Sequence, residues 1–119
     1  MYGGGGKRSI RVLVSITPLS YRQAVAYIFT KHSSHLEVRI AAPENLDGEV
    51  GRFQPHLVVC NEVTPLVEAN VLYWIEILLE NGLDAIVSLD GQTSEVHDIS
   101  EDDVFAAVDE TEKMISQEG

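Results

Sequence analysis

Short, nearly unbroken apolar runs alternate along this chain with stretches in which apolar side chains return every three or four positions. Arg11-Val12-Leu13-Val14-Ser15-Ile16 is rich in β-branched residues, which predicts a first strand covered on both faces of a parallel sheet. Thr17-Pro18 follows, offering a hydroxyl N-cap and a proline for the first helical position. Leu19, Ala24 and Ile28 then recur at helical spacing, so a first helix is expected through about Lys31. Leu36-Glu37-Val38-Arg39-Ile40-Ala41 alternates like a strand exposed on one side, as at a sheet edge. Gly48 and Gly51 weaken any helix over 43–53.

Leu57 to Asn61 reads as a buried third strand, and Thr64-Pro65 repeats the capping arrangement before a strong helix expected to run to Glu80 and close at Asn81-Gly82. Along that helix, at about 100° per residue, Val67, Val71, Trp74, Ile75 and Leu78 make one apolar face. Leu66, Tyr73 and Ile77 make a second, and one sheet cannot cover both. Asp84 to Leu89 is a fourth strand ended by Asp90-Gly91, Glu95 to Ile99 a short fifth, and Ser100 caps a last helix with an acidic first turn. Strands alternating with helices imply a parallel α/β sheet. Only residues 91–94 separate the fourth and fifth strands, too few for a crossover helix. The fifth strand therefore either pairs unusually, antiparallel to its neighbour, or stays out of the sheet.

With 119 residues, 45% hydrophobic and 23% charged, the chain suits one domain around one core, spanning 9–117 after a flexible glycine-rich start at 1–8. Nineteen acids against eight bases give a net charge of −11, which repels phosphate backbones and anionic membranes and argues against nucleic-acid or membrane partners. Cys60 is the single cysteine, so the chain can form no internal disulfide and no thiolate zinc site of its own, which points to the cytoplasm. In its apolar run it is expected to be an inert core residue. His32, His35, His56 and His97 are dispersed without metal-ligand spacing, and no phosphate-binding glycine motif occurs. No metal and no cofactor is expected.

The segment Pro55-His56-Leu57-Val58-Val59-Cys60-Asn61-Glu62-Val63-Thr64-Pro65 resembles the third strand and following loop of a response-regulator receiver domain, and the order of elements extends the resemblance over residues 10–116. It implies a flavodoxin-like, receiver-like three-layer α/β sandwich with a mostly parallel sheet of order 2-1-3-4-5. The fourth crossover helix of that fold is missing here or replaced by a loop. The resemblance also places Asn61 where the phosphoacceptor aspartate belongs, Ser15 and Ile16 where two acids hold magnesium, Ser88 or Leu89 at the switch position, and His97 near the invariant lysine. An amide is a poor nucleophile and offers no charge to a metal ion. The implied protein is a pseudo-receiver: not an enzyme, with no catalytic residue, serving signalling or protein interaction in the cytoplasm.

Two surfaces stand out as candidate sites. The two Thr-Pro pairs fall at the carboxyl ends of strands expected to be adjacent, the switch point where ligands bind in such sheets. Ser15, Thr17, Asn61 and Thr64 could there act as neutral donors to an anion or nucleotide, or the threonines simply cap helices. A missing crossover helix would also leave apolar area open, predicting a homodimer or protein partner seated on Leu66, Tyr73, Trp74 and Ile77. The other possibility is that residues 90–97 fold over the gap.

Overall fold

The computed structural model describes the backbone of residues 9–78 and 84–118 and the side chains of that set through Ile115. The expected flexible start at 1–8 and the helix stop at Asn81-Gly82 lie outside the described residues. The elements run β1 (Ile10–Ser15), α1 (Leu19–His32), β2 (Leu36–Ile40), a 3-10 turn (Pro43–Asn45), α2 (Leu46–Phe53), β3 (Leu57–Cys60), α3 (Pro65–Asn70), β4 (Tyr73–Leu78), β5 (Asp84–Leu89), β6 (Gln92–Val96) and α4 (Glu101–Glu118). They build a six-stranded mixed sheet in the order β2-β1-β3-β4-β5-β6. The first four of these strands in the sheet are mutually parallel, whereas β5 and β6 run antiparallel to their neighbours.

Helices cover both faces, so the architecture is α/β and compatible with a three-layer sandwich. On one face Val12, Val14, Leu57, Val59, Ile75 and Val87 pack with Phe29 of α1 and Ala107, Val108 and Ile115 of α4. On the other, Leu13, Val58, Cys60 and Trp74 meet Leu46, Val50 and Phe53 of α2 and Val67 of α3. The His32 ring of α1 stacks on Phe105 of α4 with centroids 4.0 Å apart, and its Nε2 lies 3.3 Å from Asp109 Oδ1, joining the two helices of the first layer.

The largest departure from expectation falls at residues 71–78. The helix begun at Thr64-Pro65 stops at Asn70, and Tyr73–Leu78 forms a parallel strand beside β3, with Val58 opposite Trp74 and Cys60 opposite Glu76. A continuous apolar run fits a helix buried all round or a strand buried on both faces. Here β-branched and aromatic side chains and the free second edge of β3 favour the strand. In β4, Tyr73, Ile75 and Ile77 point to the α1–α4 layer and Trp74 to the α2–α3 layer, so Ile75, expected on one helical face with Trp74, lies on the opposite face of the sheet with Tyr73 and Ile77.

The fifth expected strand is β6, three residues earlier than its expected start, and it pairs antiparallel with β5. Asp90 (φ 56°) and Gly91 (φ 84°) explain the pairing: two consecutive residues in the left-handed region make the tight turn that suits the twist of a two-residue hairpin. No crossover helix is needed. The expected sheet order 2-1-3-4-5 is thus interrupted by an additional strand, β4, between its third and fourth members.

Ile75 is fully buried while Leu72, just before the strand, is 53% exposed. Ile75→Ala is expected to lower the unfolding free energy by about 2–5 kcal/mol, and Leu72→Ala by no more than about 0.5 kcal/mol, as read by urea denaturation. Equal effects at both positions would contradict the placement of β4.

Candidate functional site

The direction of travel along the sheet reverses at β1, whose neighbours are β2 on one side and β3 on the other, and such a reversal opens a crevice at the carboxyl ends of the strands. Asn61, the first residue after β3, occupies it. Its Oδ1 accepts from the Thr17 backbone N–H at 2.6 Å and from the Thr17 hydroxyl at 3.0 Å, and its Nδ2 donates to the Ile77 carbonyl at 3.3 Å. One amide thereby ties the β1–α1 connection to the end of β3 and to β4.

The expected cap at Thr17 does not form. Pro18, whose ring has no hydrogen-bonding atom, is the N-cap of α1, and the Thr17 hydroxyl donates to Asn61 instead. The equivalent expectation at Thr64 holds: its hydroxyl accepts from Val67 N at 3.1 Å, and Pro65 opens α3. That same hydroxyl donates to Asp47 Oδ1 of α2 at 2.7 Å. Thr64 therefore belongs to the α2–α3 side and does not join Thr17 and Asn61. Ser15, at the end of β1, is 1% exposed, and its Oγ has no hydrogen-bond partner among the described residues. Of the four expected ligand-binding residues, the fold brings two into contact, commits a third elsewhere and buries the fourth.

Glu76 and Asp47 were not among the expected site residues. The Glu76 carboxylate accepts from Val63 N at 2.7 Å, holding the loop after β3. Its inward position became legible only once 73–78 was a strand; Asp47 carries no sequence signal for its role. Across the β3–β4 ladder Glu76 stands opposite Cys60. Burial, and secondarily the Glu76 charge, push the Cys60 thiol up from its ordinary value of 9.0 to about 12, so it is no nucleophile at neutral pH. Among the described residues no group of three or more His, Cys, Asp or Glu side chains is placed to hold a metal ion.

The expected interface residues need correction. Tyr73, Trp74 and Ile77 lie in β4 and are 4%, 7% and 6% exposed, covered by their own chain. Only Leu66, on α3, is open to solvent. The physical reason is the early stop of the third helix, which turns would-be surface aromatics into sheet core. An apolar groove lies instead between α1 and α4, about 220 Å³ lined by Tyr21, Ala24, Ile28, Ile77 and Val104 among others. Among the described residues no helix is long and apolar enough to cross a membrane.

No protein-family model, curated protein or solved structure matches the chain. At the crevice the neutral groups of Thr17, Asn61 and the Ile77 carbonyl bond to one another.

Asn61→Ala removes three hydrogen bonds at once and is expected to destabilise the fold by about 1–3 kcal/mol by thermal or urea unfolding. For Cys60 the sign follows from a thiol raised in the folded state. Its contribution to stability is complete below pH 9.0 and lost as pH climbs through about 12. At pH 8 an alkylating reagent should modify Cys60 slowly in buffer and rapidly in urea, measured by intact mass; fast labelling of the folded protein would refute its burial.

Proposed function

We propose that the protein is a non-enzymatic, receiver-like interaction module of the cytoplasm that works by binding protein and is not phosphorylated. The parallel order β2-β1-β3-β4, with helices on both faces, supports the receiver-like part of this reading. The additional strand β4 and the antiparallel β4–β5 and β5–β6 pairings are its departures from the flavodoxin-like pattern. The observation that carries the functional part is the bonding of Asn61. Where the resemblance calls for an aspartate, a neutral amide spends its oxygen on Thr17 and its nitrogen on the Ile77 carbonyl. Ser15 and Ile16, at the positions of the magnesium acids, bring no carboxylate to help a phosphoryl donor. A second reading, a small anion- or nucleotide-binding crevice, is favoured by one feature, the buried Ser15 hydroxyl without a partner.

One experiment separates these. Wild type and Asn61→Asp are incubated with acetyl phosphate and magnesium, and mass and Tm are recorded. Neither protein should gain a phosphoryl group, since the variant restores the nucleophile but not the metal ligands, and Tm should not move. A magnesium-dependent adduct on either protein overturns the proposal. A rise in Tm with phosphate or nucleotide that Ser15→Ala abolishes would favour the second reading instead.

A further inference from the structure

We infer that two copies of this chain associate edge to edge through β2, antiparallel about a two-fold axis at Val38. This rests on the reading of the protein as an interaction module and names a second copy as its partner. β2 ends the sheet and, among the described residues, has β1 as its only neighbouring strand. The direction of its backbone groups follows from two bonds. Ile10 N donates to His35 O at 2.9 Å, and Ala41 N donates to Val14 O at 3.0 Å, so residues 35, 37, 39 and 41 face β1. The N–H and C=O of a strand residue point to the same side and alternate along the chain. Leu36, Val38 and Ile40 therefore direct theirs to the open edge.

The side chains of that edge are complementary to their own reverse. Antiparallel pairing about Val38 sets Leu36 against Ile40 of the second copy, Glu37 against its Arg39, and Val38 against its Val38. The three residues with outward backbone groups then fall in the hydrogen-bonded pairs, as the antiparallel ladder demands. Glu37 and Arg39 fall in the non-hydrogen-bonded pairs, where opposing side chains approach most closely and opposite charges stabilise the ribbon. Sliding one copy by two residues puts Glu37 against Glu37 or Arg39 against Arg39, so charge selects a single register.

Occupancy within the chain points the same way. Arg39 is held in place, its guanidinium 4.4 Å above the Phe53 ring and 3.6 Å from Glu49, with its side chain 46% exposed. Glu37 is exposed and has no partner among the described residues. Ile40 is 42% exposed, and it would be covered by Leu36 of the second copy. Edge strands are commonly protected by proline, bulges or charged side chains, and the charges repel a neighbouring strand only where its own charges do not complement them. β2 has neither proline nor bulge, and its charges have opposite signs. A five-residue ribbon buries less than the roughly 1,200 Å² of a stable complex, which places this association in the weak, concentration-dependent class.

Sedimentation velocity over a concentration series tests the inference on wild type, Glu37→Arg and Arg39→Glu. Wild type should shift from monomer to dimer as concentration rises. Each variant alone should remain monomeric, because like charges then face each other twice, while an equimolar mixture of the two should form heterodimers with both charge pairs restored. Wild type that stays monomeric throughout, a dimer that survives Glu37→Arg, or monomeric variants whose mixture stays monomeric each overturns it. A monomeric wild type leaves the interaction module open to another protein, and a phosphoryl adduct at residue 61 would sink that reading without touching the β2 edge.

Discussion

Strands β1, β3 and β4 are withdrawn from water on both faces, and the other elements answer to that burial. Buried backbone N–H and C=O groups must be paired, and parallel pairing forces the chain to cross a face of the sheet each time it returns. From β1 the chain goes outward to β2 and then back past β1 to β3 and β4. Right-handed crossovers in opposite directions land on opposite faces, which is why α1 covers one side while α2 and α3 cover the other. After β4 the chain changes strategy: hairpins need no crossover, and β5 and β6 close the far side of the sheet with a two-residue turn.

The same reversal at β1 leaves a crevice that this protein closes with Asn61. An amide can accept from an N–H and an O–H on one side while donating to a carbonyl on the other. An ionised carboxylate only accepts, so aspartate at this position would lose the bond to Ile77 and set its charge toward a carbonyl oxygen. The amide nitrogen of Asn61 is thus the donor for the bridge to β4.

How far the fold was legible in the sequence follows from how unambiguous each segment's period is. β1, β2, β3 and β5 lie within a residue or so of their expected places, because each is short, β-branched and bounded by turn residues. The Thr64-Pro65 helix start was legible for the same reason, since a hydroxyl followed by proline has a local mechanism. Residues 71–78 were not, because Tyr73-Trp74-Ile75 suits both a helix with two apolar faces and a strand buried on both, and only the vacancy beside β3 decides between them. Thr17 shows the complementary failure: its local pattern matches Thr64, but the helix begins one residue later, with Pro18 as its N-cap, and the Thr17 hydroxyl donates to a partner 44 positions away. Of the candidate site, the Thr17–Asn61 contact was within reach of sequence, whereas the bond to Ile77 depended on a strand that local patterns did not reveal.

Charge finally distinguishes where a chain of net charge −11 can meet a copy of itself. α4 carries Glu101, Asp102, Asp103, Asp109, Glu110, Glu112 and Glu118 against Lys113, so two copies meeting through that helix bring like charges together. At about 0.1 M salt charges more than about 10 Å apart are largely screened, so the local balance at a contact outweighs the total. β2 is locally neutral, with one acid and one base two residues apart on the same face. β6, at the opposite edge, carries Glu95 and no base, so an antiparallel copy centred on that residue sets carboxylate against carboxylate. The two ends of the sheet are therefore unequal: the acidic end discourages a second copy, and the balanced end is the one whose backbone groups and side chains fit it.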